Sequence, residues 1–332
     1  MGSSRVCWSR ADGRDCKAGG TATKATIIGA AGSVGAPAAF YLAAQGLVDE
    51  IVMIDPRANL VQQHAMDLGT AVSALGISVK TGSYADTAGS DVVIDAAGAP
   101  QGLLADRMEM LSRNLPLVCE IARDIGQSCP EAVIVTATNP VDPLNYATWR
   151  AGGFPRRQVL GYSLNDSFRF RELVARVKGV EVGRVQATVL GEHGGTQVPV
   201  FSSARVDGRP VVFSEGEKAG IRAEALEVLR RYEALQAGRT AGWTCAVGLA
   251  ALVRAIRDDT GEVFPCSVVL DGEYGRSGLS MSVPVSLGRG GVREIRRWEL
   301  EPDEREALER SADALAAAAR LVDEALQRGR ER

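Results

Sequence analysis

Short runs of β-branched and aliphatic residues alternate along the chain with longer segments of helical length. The first run, Ala25-Thr26-Ile27-Ile28, passes through a glycine turn into Pro37-Ala38-Ala39-Phe40-Tyr41-Leu42, where a proline fits the first turns of a helix. A second strand is predicted at Glu50-Ile51-Val52-Met53-Ile54-Asp55, with further short apolar runs at 91–94 and 132–135. Strands that alternate with helices predict a parallel, doubly wound α/β sheet, because each right-handed crossover lays its helix on a face of the sheet. From about residue 163 the rhythm changes. A helix is predicted at 166–177, strands at 185–190 and 198–206, a long helix at 215–235 and strands at 267–270 and 280–285. A closing helix at 302–327 places Leu308, Leu315, Val322 and Leu326 near helical spacing. The division read from this change is an α/β domain over 23–162 and a mixed α+β domain over 163–330. Residues 1–22 lack apolar periodicity and are expected to be a disordered extension.

A length of 332 residues agrees with two domains at roughly 100–200 residues each. The formal charge of −3, without a long basic block, argues against nucleic acid or an anionic membrane as partner. Six cysteines (Cys7, Cys16, Cys119, Cys129, Cys245, Cys266) form neither a C-x-x-C pair nor a zinc-like cluster, so no metal and reduced thiols are expected. Without an apolar run of 18 or more residues or a signal-peptide core, the expected location is the cytoplasm. Val6 departs from the myristoylation pattern that Met1-Gly2-Ser3-Ser4 would otherwise open.

The turn Gly29-Ala30-Ala31-Gly32-Ser33-Val34-Gly35 lies between the first strand and the first helix, where backbone amides can meet a dinucleotide pyrophosphate. Asp55 ends the second strand 20 residues after Gly35. A carboxylate there accepts hydrogen bonds from both ribose hydroxyls of NAD and repels the 2′-phosphate of NADP. A Rossmann-type NAD-binding domain is therefore expected, with Arg57 as a nearby positive charge that softens the exclusion of NADP.

Only two histidines occur. His64 follows Gln62 and Gln63 on a predicted helix and reads as an ordinary surface residue, whereas His193 sits in Val189-Leu190-Gly191-Glu192-His193-Gly194-Gly195, a strand entering a glycine turn. Taken alone, that turn fits a merely hydrogen-bonded histidine better than a catalytic one. Asn139-Pro140-Val141-Asp142, Asp166-Ser167-Phe168-Arg169-Phe170-Arg171 and Gly191-Glu192-His193-Gly194 follow one another in the order found in the lactate/malate dehydrogenase family. From about residue 24 to 326 the chain resembles that family of NAD-dependent L-2-hydroxy acid dehydrogenases. Ala97-Gly98-Ala99-Pro100-Gln101, Gly272-Glu273-Tyr274-Gly275 and Val283-Pro284-Val285-Ser286-Leu287-Gly288 add to the match.

The resemblance implies roles that suit the chemistry of a 2-oxo acid, which needs a proton donor, a carboxylate clamp and a positive group where charge grows. His193 would move the proton, with Asp166 on the far ring nitrogen fixing its tautomer. Taken without the family, Asp166 could equally be a helix N-cap. Arg169, one helical turn on, would grip the substrate carboxylate bidentately. Arg107 would polarise the carbonyl from a mobile loop, and Asn139 would touch substrate or nicotinamide. Gly98 would join the glycine turn in holding NAD, and Ala241 would line the substrate pocket. Arg171 is expected on the surface. Family members assemble as dimers or tetramers, so a homodimer or homotetramer is implied.

Gln101 stands where lactate-type members carry Gln and malate-type members carry Arg, and glutamine supplies no charge for a second carboxylate. The reading is lactate-like, and the small Ala241 and Gly242 leave room for an acid bulkier or more apolar than pyruvate. The alternative is a malate dehydrogenase. Leu103 and Leu104 replace the charged loop centre usual in the family, and Asn165 replaces the usual Leu before the aspartate. A reductase using Tyr-x-x-x-Lys is excluded, because no tyrosine has lysine four residues later. A non-catalytic NAD-binding sensor is the alternative of another class; it would have no need to keep Arg107, Asp166, Arg169 and His193 together.

Overall fold

The computed structural model describes residues 22–99, 107–235, 237 and 241–330. The extension expected at 1–22 lies outside the described residues except for Ala22. In chain order the elements of the first half are β1 (Lys24–Ile28), α1 (Gly35–Ala44), β2 (Glu50–Ile54), α2 (Ala58–Ala71), β3 (Ser78–Thr81), β4 (Val92–Asp95), α3 (Arg107–Ser128), β5 (Val133–Thr136), α4 (Val141–Gly152) and β6 (Val159–Tyr162). The second half adds α5 (Leu164–Lys178), β7 (Val185–Gln186), β8 (Val189–Gly191), β9 (Gln197–Pro199), β10 (Arg205–Val206), β11 (Arg209–Pro210), α6 (Glu215–Ala234), α7 (Gly242–Asp258), β12 (Val263–Asp271), β13 (Ser277–Gly288), β14 (Gly291–Ile295) and α8 (Pro302–Arg330).

The first six strands pair in parallel in the order β3-β2-β1-β4-β5-β6, the doubly wound arrangement that the alternation predicts. All residues of β4, β5 and β6 are buried, since helices cover both faces and leave no polar side for water. The sheet does not stop at β6. β12 pairs antiparallel with β6, placing Cys266 opposite Tyr162, and β13, β8 and β9 extend it further. One sheet therefore carries both the glycine turn after β1 and the His193 turn after β8.

Two predicted strands are interrupted. The run 198–206 gives β9 and β10 with a 3-10 turn at Phe201–Ser203 between them, because Pro199 offers no N–H to continue the ladder and Glu304 captures the Ser202 N–H and hydroxyl. The run 185–190 likewise splits into β7, in a small three-stranded sheet, and β8, in the main one. The predicted helix at 166–177 begins at Leu164, so Asp166 lies inside its first turn and is not its N-cap; that position is Ser163. Arg171 is not a free surface charge. Its guanidinium stacks over Phe168 at 4.6 Å, its Nε is buried without a hydrogen-bond partner, and burial lowers its pKa.

Candidate active site

At the dinucleotide end, the N–H groups of Gly29 and Ala30 both donate to the Ile54 carbonyl, at 2.9 and 3.1 Å, which ties the turn to the end of β2. Gly29 has φ +75°, and a Cβ there would stand 2.6 Å from the Ala96 carbonyl oxygen; one on Gly35 would strike the Gly29 carbonyl. The tight turn is thus possible only with glycine at these points, and α1 starts behind it without a side-chain cap. Gly32, Ser33 and Val34 complete the turn, with the Gly32 N–H donating to Gly29 at 2.9 Å. These features fit a pyrophosphate received by backbone amides.

Asp55 follows β2 with its side chain almost fully buried. One oxygen accepts the Ala31 N–H at 3.0 Å, and Arg57 donates to both oxygens at 2.9 Å. Burial opposes the charge, but the Arg57 side chain and the amides of Arg57 and Ala31 outweigh it and hold the carboxyl below its usual range. Asp55 is therefore already engaged by an arginine that is half exposed.

From the turn a line of polar contacts runs to the histidine. Ala96 and Ala97 pack on Gly29, and the Thr138 hydroxyl donates to the Ala97 carbonyl at 2.5 Å. Asn114 on α3 accepts the Ala99 N–H at 2.8 Å and donates to the Asn139 carbonyl at 2.7 Å, so it joins the segment of Gly98 to that of Asn139. Three residues on, Asp142 in the first turn of α4 accepts the His193 N–H at 2.7 Å.

The His193 ring meets α5. Its Nδ1 is 2.5 Å from Oδ2 of Asp166, and Arg169 donates to Oδ1 of the same carboxylate at 3.1 Å. Asp166 is 5% exposed, His193 15% and Arg169 17%, so the group is shielded yet open on one side. Ala241 immediately precedes α7, whose first residue, Gly242, lies against the Ser33 carbonyl. Asn165, the departure from the family pattern, accepts from the Tyr162 hydroxyl at 2.6 Å and donates to Cys245 Sγ at 3.2 Å, fixing α7 beside α5.

Arg107 is the first residue of α3, and Gln101 lies outside the described residues. The structure brings His193, Asp166 and Arg169 together and joins the segments of Gly98 and Asn139 through Asn114, while Asp55 stands with the glycine turn. Sequence reasoning did not assign Asn114 or the aspartate of Asn139-Pro140-Val141-Asp142. Asn114 is a buried amide on a helix otherwise packed by Leu111, Leu115 and Val118, which was the available signal.

The family model for the lactate/malate dehydrogenase NAD binding domain matches residues 23–161, and that for the lactate/malate dehydrogenase alpha/beta C-terminal domain matches 164–325. A malate dehydrogenase of Halobacterium salinarum is 41% identical over 304 residues, 89% of this chain and 98% of that one. An L-lactate dehydrogenase of Geobacillus kaustophilus is 35% identical over 305 residues, covering 89% and 96%. Among solved structures, a Cryptosporidium parvum malate dehydrogenase superposes with a TM-score of 0.85 at 28% identity, covering 92% of this chain and all of that one.

Proposed function

The chain belongs to the lactate/malate dehydrogenase family of NAD-dependent oxidoreductases, and from that premise we propose that it interconverts a 2-oxo acid and an L-2-hydroxy acid, with oxaloacetate and malate as the first pair. The observation that carries the chemistry is the direct contact of His193 with Asp166 and of Asp166 with Arg169. NAD, when bound, supplies or takes the hydride; the glycine turn, Asp55 and Gly98 hold it.

In the reducing direction His193 gives its Nε2 proton to the carbonyl oxygen, and Asp166 stabilises the imidazolium and keeps Nδ1 protonated. Arg169 binds the substrate carboxylate. Arg107 stabilises charge that develops on the carbonyl oxygen, and Asn139 contacts substrate or nicotinamide. Ala241 borders the space left for the substrate side chain. Two domains, 23–162 and 163–330, divide this work. A homodimer or homotetramer is proposed on the resemblance to the family alone. Among the described residues no helix is long and apolar enough to cross a membrane, and the proposed location is the cytoplasm.

Malate is placed first because the Halobacterium salinarum relative, matched over nearly its whole length, carries that name. A second reading, a monocarboxylic 2-oxo acid bulkier than pyruvate, rests on Gln101, which brings no charge to a second carboxylate. NADH consumption with oxaloacetate, pyruvate, 2-oxoisocaproate and phenylpyruvate separates them. The highest kcat/KM on oxaloacetate supports the first reading, and preference for an apolar acid supports the second. NADH binding without turnover on any of the four would leave the sensor alternative.

A further inference from the structure

His193 is held by two carboxylates, and only one of them touches its ring. The other, Asp142, is 1% exposed. Its Oδ2 accepts the His193 backbone N–H at 2.7 Å, and its Oδ1 accepts the Ser267 hydroxyl at 2.6 Å. Behind it the Ser267 hydroxyl lies 2.9 Å from that of Ser280, while Asn145 donates to the Ser280 hydroxyl at 2.9 Å and the Ser267 carbonyl at 3.1 Å. Among the described residues no lysine or arginine pairs with Asp142.

An unpaired buried carboxylate is expensive to keep, because it has given up its hydration without a cation in exchange. An asparagine could accept the same N–H and donate to the serine hydroxyl at much lower cost. What aspartate adds at this position is therefore charge, and the His193 imidazolium is a positive group that feels it. Burial pushes the Asp142 carboxyl up to about 6, against the pull of the Ser267 hydroxyl, the His193 N–H and the histidine's positive charge. The carboxyl is thus mainly ionised in neutral and mildly alkaline solution. Among the described residues, the charged groups beside the ring include Asp166 and Arg169 on α5 and Glu192 in its own turn.

We propose that Asp142 is a positioning residue for proton transfer: it fixes the backbone of the His193 turn against α4 and, through its negative charge, increases the fraction of His193 that carries a proton. Because Asp142 and Asn139 share one segment, the same clamp sets the histidine relative to Asn139. The proposal rests on His193 being the proton-transfer residue.

The test uses the full chain with its two histidines labelled, so that His64 serves as internal reference while the His193 ring is titrated by NMR. Asp142→Asn is expected to lower the His193 midpoint by about one pH unit, within the range that a nearby charge produces. The low-pH-active limb of kcat/KM for NADH-dependent reduction, measured on oxaloacetate and pyruvate, should move by the same amount, with about a tenfold loss at pH 8. Ser267→Ala disturbs the same network but leaves the charge, so it should leave the His193 midpoint within about 0.3 pH units. An unmoved midpoint in Asp142→Asn, or equal shifts in both variants, would overturn the proposal. If Asp142→Asn does not fold, the smaller neutral Asp142→Ser carries the same expectation, and failure of both to fold assigns Asp142 to the fold alone and also overturns it. His193→Asn keeps the two readings apart: full activity in that variant removes the role of His193 itself, whereas its inactivity beside an unperturbed Asp142→Asn removes only that of Asp142.

Discussion

His193 Nδ1 and Asp166 Oδ2 lie 2.5 Å apart across 27 residues of sequence, on a glycine turn and the first turn of a helix. Both side chains are largely buried, so their attraction is screened less than between surface charges. His193→Asn removes the proton donor and should lower kcat by about 10³-fold or more. Asp166→Asn leaves the ring but removes the charge that favours imidazolium, and a loss of about 10²-fold is expected. NADH affinity, read from its fluorescence, should stay within about twofold of the parent in both, since neither residue belongs to the glycine turn. Retained turnover in His193→Asn would remove the proposed chemistry.

Arg169 and Asp166 are one helical turn apart, and their ion pair runs through Nη1 of the guanidinium at 3.1 Å. Arg169→Lys keeps the charge but loses the planar fork that matches a carboxylate. Loss of one charge-assisted bond is worth about 1.5–3 kcal/mol, so KM for the 2-oxo acid should rise roughly 10- to 100-fold while the fold is unchanged. An unaltered KM would mean that the carboxylate is bound elsewhere.

Much of this arrangement was legible before the structure. The period and length of the apolar runs revealed the parallel sheet because strands buried on both faces cannot hide among polar residues. Gly29, Asp55, Asp166 and His193 were recognisable since each stands at a fixed place relative to a strand or a motif. The small strands around Pro199 were not, because a short apolar run does not say where a ladder ends. Nor was the link from Asp142 to His193: it joins residues 51 apart through a backbone amide, and no side-chain pattern records such a bond. Arg171 was misread for a related reason, as its cover comes from Phe168 stacking and not from its helical phase alone.

Asp55 and Arg57 form a bidentate pair where the adenosine ribose is expected. Replacing Asp55 by Ser removes the charge that repels a 2′-phosphate and releases an arginine able to bind one. Asp55→Ser should therefore reduce the ratio of kcat/KM for NADH over NADPH by about tenfold or more, equivalent to one charge-assisted bond. In Asp55→Ser combined with Arg57→Ala, the gain for NADPH should disappear. If NADPH use rises equally in the double variant, Arg57 is not its phosphate partner.

Asp95 ends β4 with its carboxyl fully buried, and burial pushes it up to about 7 against the one opposing bond from the Ala97 N–H at 3.1 Å. In the unfolded chain this group ionises near 4. Between about pH 4 and pH 7 the folded protein thus holds a proton that the unfolded chain releases, so stability from this site is complete in acid and is lost as the pH rises to 7. Above pH 7 both states are ionised and the loss is constant. Asp95→Asn keeps an oxygen for the Ala97 N–H and never ionises, so it escapes that loss. At pH 8 the variant should be more stable on the order of 2 kcal/mol, about half the full linkage value because buried carboxylates relax and admit water. That corresponds to a Tm higher by about 3–6 °C. Near pH 4 the two proteins should differ little, and thermal unfolding followed by circular dichroism across this range measures the gap. A gap that is already full at pH 4, or that never opens by pH 8, would show that the carboxyl at Asp95 is not protonated in the folded protein through this window.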